Sequence, residues 1–206
     1  MKRIQNIAPA DIERESFRII EEELGEHDFS PETFALVRRV IHATGDFSFA
    51  DNLHFHPEAI RAGLAAIRGG KNILVDVTMA AAGISTGLLA RHGGRVVCRV
   101  ADPEVAARAT ALGRTRSEVA MEEAMAEQIG IVAVGNAPTA LLAVMAMIEG
   151  DLAAPDLVIG VPVGFVNAAE SKEILAGKTY PFITSLGRKG GTPVAVALIN
   201  ALLRLA

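Results

Sequence analysis

His42 is the side chain whose type and setting best suit chemistry. It falls in the last turn of a helix expected over residues 31–43, whose apolar face is Phe34, Val37, Val40 and Ile41, with Arg38 and Arg39 four and three residues before it. An imidazole is the one side chain whose ordinary pKa lies near neutrality, so it can both give and take a proton. A neighbouring guanidinium disfavours its charged form, and the negative end of the helix dipole favours it. The pattern leaves two roles open, a helix-capping histidine and a general acid–base group.

Other reactive types fit no complete constellation. His54-x-His56 has the spacing of two imidazoles on one strand face, as a zinc site could use. However, His56 precedes Pro57 at a helix start, where it is expected to fill the cap region, and no cluster supplies further ligands, so no metal is expected. Cys98 lies in an apolar run with no catalytic partner in view, and a single cysteine cannot form an internal disulfide. No G-x-S-x-G elbow is present. Gly187-Arg-Lys-Gly-Gly-Thr192 has the glycines and lysine of a phosphate loop without its spacing, and no G-x-G-x-x-G occurs, so a nucleotide is not expected.

The elements that must hold these residues follow from the pattern of the chain. The first seventy residues read as helices. One begins at Pro9 and stops at Gly25; a second starts at Ser30-Pro31, serine as cap and proline first, and stops at Thr44-Gly45; a third covers residues 57–68. Short apolar runs then appear at 72–77, 95–100, 130–134, 157–161 and 181–185, separated by helix-length segments. This alternation predicts an α/β fold: a mostly parallel sheet of about five strands, helices on both faces, and a helical N-terminal section. Residues 1–206 are expected to form a single domain.

Composition narrows the function classes. The chain has 206 residues, half of them hydrophobic but only 4% aromatic, so the core must be built from Ala, Val, Ile and Leu. Twenty basic against 24 acidic residues give a formal charge of -4, which offers no footprint for nucleic acid. The N-terminal stretch MKRIQNIAPADIERES lacks the apolar region of a secretory signal. The apolar segment 129–148 is broken by Gly135-Asn-Ala-Pro138 and predicts a strand, a turn and a helix rather than a membrane span. A cytoplasmic protein is expected.

In such a sheet, ligands sit beyond the carboxyl ends of the strands. The turns expected there are Asp102-Pro103, Gly135–Thr139 with Asn136 as cap, Pro162–Asn167 with Asn167 and Glu170 at capping-box spacing, and Gly187–Pro193 opening the last helix at Thr192. Four segments, two of them in these turns, carry a specific resemblance. Gly160-Val-Pro-Val-Gly-Phe-Val-Asn-Ala-Ala-Glu-Ser-Lys-Glu173, Gly135-Asn-Ala-Pro-Thr-Ala-Leu141, Thr115-Arg-Ser117 and Arg39-Val-Ile-His-Ala43 resemble the precorrin-8 methylmutases of cobalamin biosynthesis. The resemblance runs in order from Ser16 to Leu203.

It implies an isomerase that moves a methyl group from ring carbon 11 to carbon 12 of a corrin precursor, with no external cofactor. By resemblance His42 is the proton donor and acceptor, and Ser16, Arg39 and Arg116 line the tetrapyrrole site. A homodimer is implied, with Arg116 reaching the partner's site. Leu186–Thr192 and Ala197–Leu203 look like the branch that converts cobalt-precorrin-8 to cobyrinate. The alternatives are the same shift on metal-free precorrin-8X, giving hydrogenobyrinate, and a non-catalytic tetrapyrrole carrier. The substrate's carboxylates call for cations, and Arg38, Arg39, Arg116, Arg188 and Lys189 are candidates. Met79, Val163 and Phe165 are candidates for apolar walls.

Overall fold

The computed structural model describes residues 7–206; Met1–Asn6, part of the stretch read above for a secretory signal, lie outside it. After a 3-10 turn at Pro9–Asp11 the elements are α1 (Ile12–Leu24), α2 (Pro31–Thr44), α3 (Phe49–Asn52), β1 (Leu53–Phe55), α4 (Ala59–Arg68), β2 (Asn72–Val75), α5 (Thr78–Gly83), α6 (Thr86–Ala90) and β3 (Val96–Val97). There follow α7 (Pro103–Leu112), α8 (Arg116–Ala124), β4 (Ile129–Val134), α9 (Pro138–Glu149), β5 (Leu157–Gly160), α10 (Ala168–Ala176), β6 (Phe182–Ser185) and α11 (Thr192–Leu205).

The sheet has six strands rather than about five, in the order β1-β6-β5-β4-β2-β3. Five are parallel, and β1 is antiparallel to β6, with Leu53 opposite Ser185 and Phe55 opposite Ile183. The extra strand, Leu53–Phe55, carries His54, and His56 lies just past its end. Three residues are too few for a period-2 pattern to show, and what holds them extended is the edge of β6. The run expected at 95–100 narrows to Val96 and Val97.

Side-chain alternation explains the layers. Ile73, Val75, Ile131, Ala133, Leu157, Ile159 and Ile183 face a core shared with α2, α4, α5 and α11. Leu74, Val132, Val134, Val158 and Phe182 face the other way, against α8, α9 and α10. Every residue of β4, β5 and β6 is buried, as a parallel sheet covered on both faces requires. At ~25 cal/mol per Å² this apolar burial drives the fold.

The chain leaves β2 toward β3 on one side and runs from β4 through β5 to β6 on the other, so the topological switch point lies between β2 and β4. Asp76 directly follows β2 there, fully buried. Its carboxylate accepts N–H bonds from Gly135 at 3.0 Å and from Asn136 and Ala137 at 2.8 Å each. The cap expected from Asn136 is absent: Asn136 is exposed, α9 has no side-chain cap bond, and the turn that leads into the helix is held through its own N–H groups by Asp76. Burial pushes the Asp76 carboxyl up from its ordinary value, against the pull of the three N–H donors. Among the described residues, no helix is long and apolar enough to cross a membrane.

Candidate active site

Helix α2 is built as its sequence requires. The Ser30 hydroxyl accepts from the Thr33 N–H at 3.2 Å, Pro31 takes the first turn, and Gly45 stops the helix at φ 65°, with its N–H on the Ile41 carbonyl. Leu36, Val37, Val40 and Ile41 are buried in the core that α2 shares with α11. This packing turns His42, in the last turn, outward along the α11 groove.

His42 and Arg39 line one cavity of about 280 Å³ with Ser85, Val196, Asn200 and Arg204. Asn200 braces its far wall, accepting from the Ser85 N–H at 2.8 Å and donating to the Gly83 carbonyl at 3.0 Å. On the near side Phe17 of α1 meets the His42 ring edge-on, centroids 5.3 Å apart. The guanidinium groups of Arg38 and Arg39 stand 4.2 and 4.7 Å from the Phe17 ring centre. Each arginine also has a carboxylate: Arg38 pairs with Glu21, and Arg39 with Glu13 at 2.6 Å. The Arg39 hydrogen bond holds the Glu13 carboxyl below its usual range, with the charges of Arg39, Arg204 and His42 adding to it and burial opposing.

Ser16 sits one turn beyond Glu13 on α1, and its hydroxyl donates to the Ile12 carbonyl at 2.8 Å. Ser16, Arg39 and His42 thus lie on two packed helices, and a ligand carboxylate would meet Arg39 with Glu13 already on it. Arg116 is elsewhere. It opens α8, on the opposite face of the sheet, behind a Thr115–Glu118 capping box. Thr115 also touches Thr139 of α9 at 3.0 Å. Arg116 is exposed, and no carboxylate among the described residues pairs with it. The fold does not bring it to His42 within one chain.

Of the remaining expected cations, Lys189 is engaged by Asp46 at 2.7 Å, and Arg188 stands 5.4 Å from the Phe165 ring. Phe165, Val163 and Met79 are all exposed at the carboxyl edge of the sheet. The Asn167–Glu170 capping box does not form. Asn167 adopts φ 59° and ψ 6°, a left-handed conformation in which its side chain makes no cap bond. His56 fills the cap region as expected, its Nδ1 accepting the Glu58 N–H at 3.2 Å, while His54 is exposed on the edge strand. Burial pushes the Cys98 thiol up, which makes it a poor nucleophile. A larger cavity, about 510 Å³, lies at the amino edge of β6 beside Ser30, Phe55, His56, Ile60 and Leu64. It is far from the carboxyl edge, where open α/β sheets place ligands.

Sequence reasoning missed Asp76 and Lys172. An acid directly following a strand of buried apolar residues was a signal for the first, but its partners are 59 to 61 positions away.

A doubly wound α/β sheet whose switch-point amides are already filled by its own aspartate, with a histidine and arginines gathered beside the last helix, defines the class: an α/β protein with a candidate acid–base site beside that helix. The precorrin-8X methylmutase family matches residues 11–205. A cobalt-precorrin-8 methylmutase of Priestia megaterium is 47% identical over 97% of this chain and 89% of its own length. A precorrin-8X methylmutase of Pseudomonas aeruginosa is 42% identical over 93% of each. The crystal structure of a Thermus thermophilus precorrin-8X methyl mutase superposes with a TM-score of 0.88 at 47% identity, covering 95% of both chains. This chain belongs to the precorrin-8X methylmutase family, whose members are isomerases.

Proposed function

We propose that the protein moves a methyl group from carbon 11 to carbon 12 of cobalt-precorrin-8, giving cobyrinate, in cobalamin biosynthesis. The observation that carries this reading is the shared cavity of His42 and Arg39, in a chain that matches the methylmutase family nearly end to end. A relative named for the cobalt compound and the Thermus thermophilus structure named for precorrin-8X are both 47% identical to this chain, so the choice of the cobalt compound rests on the resemblance of Leu186–Thr192 and Ala197–Leu203. The metal-free shift to hydrogenobyrinate is the second reading.

The reaction is an isomerisation, with no net gain or loss of atoms or electrons. His42 donates a proton to a ring nitrogen or its conjugated neighbour, which polarises the macrocycle. The methyl group migrates between adjacent carbons, and the imidazole takes the proton back. Arg39 and Ser16 anchor a peripheral carboxylate. The cobalt rides within the substrate and needs no ligand set from the protein.

The cavity of about 280 Å³ suits one edge of a macrocycle and not the whole of it. In this reading a twofold dimer completes the site, with Arg116 of one subunit serving His42 of the other. Residues 1–206 act as one domain in the cytoplasm.

The test is to supply purified protein with precorrin-8X and with cobalt-precorrin-8 and follow the visible spectrum, since the shift alters conjugation. Conversion with a higher kcat/KM on the cobalt compound is expected. Preference for the metal-free compound would move the chain to the other branch, and binding without turnover would leave a carrier.

A further inference from the structure

A second buried charge holds the loop after β6. Lys172 of α10 is completely buried, and its ammonium donates to the Lys189 carbonyl at 2.6 Å. The Ser185 hydroxyl donates to the same oxygen at 3.0 Å. The loop is also laced to the one after β5. Gly191 N–H bonds the Val161 carbonyl at 2.7 Å, and Gly164 N–H bonds the Arg188 carbonyl at 3.2 Å. The approach is close enough that a Cβ on Gly190, at φ 154°, would stand 2.3 Å from the Val161 oxygen.

The side chain of Lys189 leaves the loop in the other direction. Its ammonium bonds Asp46 at 2.7 Å and the Ser48 hydroxyl at 3.0 Å. Asp46 directly follows Gly45, the residue that ends the His42 helix, and it is 143 positions from Lys189 in sequence. The Lys189 bond, with those from the Ser48 hydroxyl and N–H, holds the Asp46 carboxyl down to about 2, so it stays ionised and paired at neutral pH.

We propose that Lys172 is a positioning residue: through the Lys189 carbonyl it fixes the loop after β6, and through the Lys189 side chain it sets the end of the helix that carries His42. The inference rests on the methylmutase reading of His42.

Stability gives no reason for a lysine at this place. An ammonium has three N–H donors and here meets one neutral carbonyl. Its burial pushes the amine down to about 8, with no carboxylate opposing that shift. Apolar replacement of such a buried charge is often neutral or stabilising. What methionine could not supply is the directed bond to Lys189. Placement errors of about 1 Å at a reacting group cost on the order of a hundredfold in rate.

The test compares Lys172→Met, Asp46→Asn and the double variant in the full-length protein. Lys172→Met is expected to melt at or above the wild-type temperature. Its kcat should fall roughly ten- to a hundredfold, with KM changed less than about threefold. Without substrate, amide exchange should speed up at both residues 43–48 and 186–191. Asp46→Asn, a change at the surface, should lower kcat in the same sense, and the double variant should be no worse than the poorer single. Unchanged exchange at 43–48 in Lys172→Met, or losses that multiply in the double variant, would overturn the inference. The exchange measurement needs no turnover, so a wild-type protein inactive on both compounds would sink the functional reading alone.

Discussion

The two faces of the sheet carry the two halves of the proposed site in different states of readiness. On the α2–α11 face the cations are already committed: Arg39 holds Glu13, Arg38 holds Glu21, and Phe17 packs between them and His42. On the α8–α9 face, Arg116 projects from a firmly capped helix end and has no carboxylate of its own among the described residues. In the proposed reading, the candidate acid–base histidine and an unpaired arginine on opposite faces of the sheet would meet in a site shared between two subunits. An enzyme that worked as a monomer would need both on one face.

The largest expected effect breaks the first half. His42→Ala should lower kcat by about a hundred- to ten-thousandfold, the range of a general acid–base group, while pigment binding and the melting temperature stay near wild type. Turnover within a few-fold of wild type would remove His42 from the chemistry. Mixing sharpens the comparison next. Inactive His42→Ala and Arg116→Ala chains, allowed to exchange subunits, should recover about a quarter of all sites, because half the dimers are hybrids and each has one intact site. No recovery, with hybrids confirmed by mass, would place both residues in one chain's site.

The helix caps offer a smaller, matched pair. Ser30→Ala and Thr115→Ala each remove a cap bond and should cost about 1 kcal/mol, or roughly 2–4 °C in Tm for a chain of this size. Only Thr115→Ala should also raise KM, because Arg116 is the next residue, whereas Ser30 is three turns from His42. Equal kinetic effects would contradict that difference.

The smallest effect concerns Glu13. Glu13→Gln frees Arg39 for a substrate carboxylate, and for a half-exposed pair worth ~0.5 kcal/mol the KM should fall about twofold. The pair also has a pH signature. The folded carboxyl lies below its unfolded value of 4.5, so its contribution is complete above that value and is lost as pH falls through the lowered folded one. A titration of Tm in acid should show this loss in wild type and not in Glu13→Gln. A KM that rises instead would mean that Glu13 itself orients the substrate.

Much of the architecture was legible because its signals are local. Ser30-Pro31 and Thr44-Gly45 bracket α2 within a few residues, and the buried runs of β4, β5 and β6 declare a sheet covered on both sides. The edge strand at Leu53–Phe55 was not legible, since its extended form depends on β6 rather than on its own three residues. The candidate site is legible in the same uneven way. Resemblance singled out His42, Arg39, Ser16 and Arg116, and the spacing of Arg39 and His42 on one helix already made them neighbours.

The sequence by itself determined the α/β class, the ends of α2 and the family. Each rests on periodicities, caps or motifs contained within a short window. Only the tertiary structure decided that Asp76 holds the turn before α9, that Lys189 serves Asp46 rather than awaiting a substrate carboxylate, and that Arg116 stands across the sheet from His42. The physical reason is range. A carboxylate reaches its donors 59 to 61 residues away, and an ammonium its partner 143 residues away, only after burial of the apolar faces has drawn those turns together, and no local pattern encodes such a meeting.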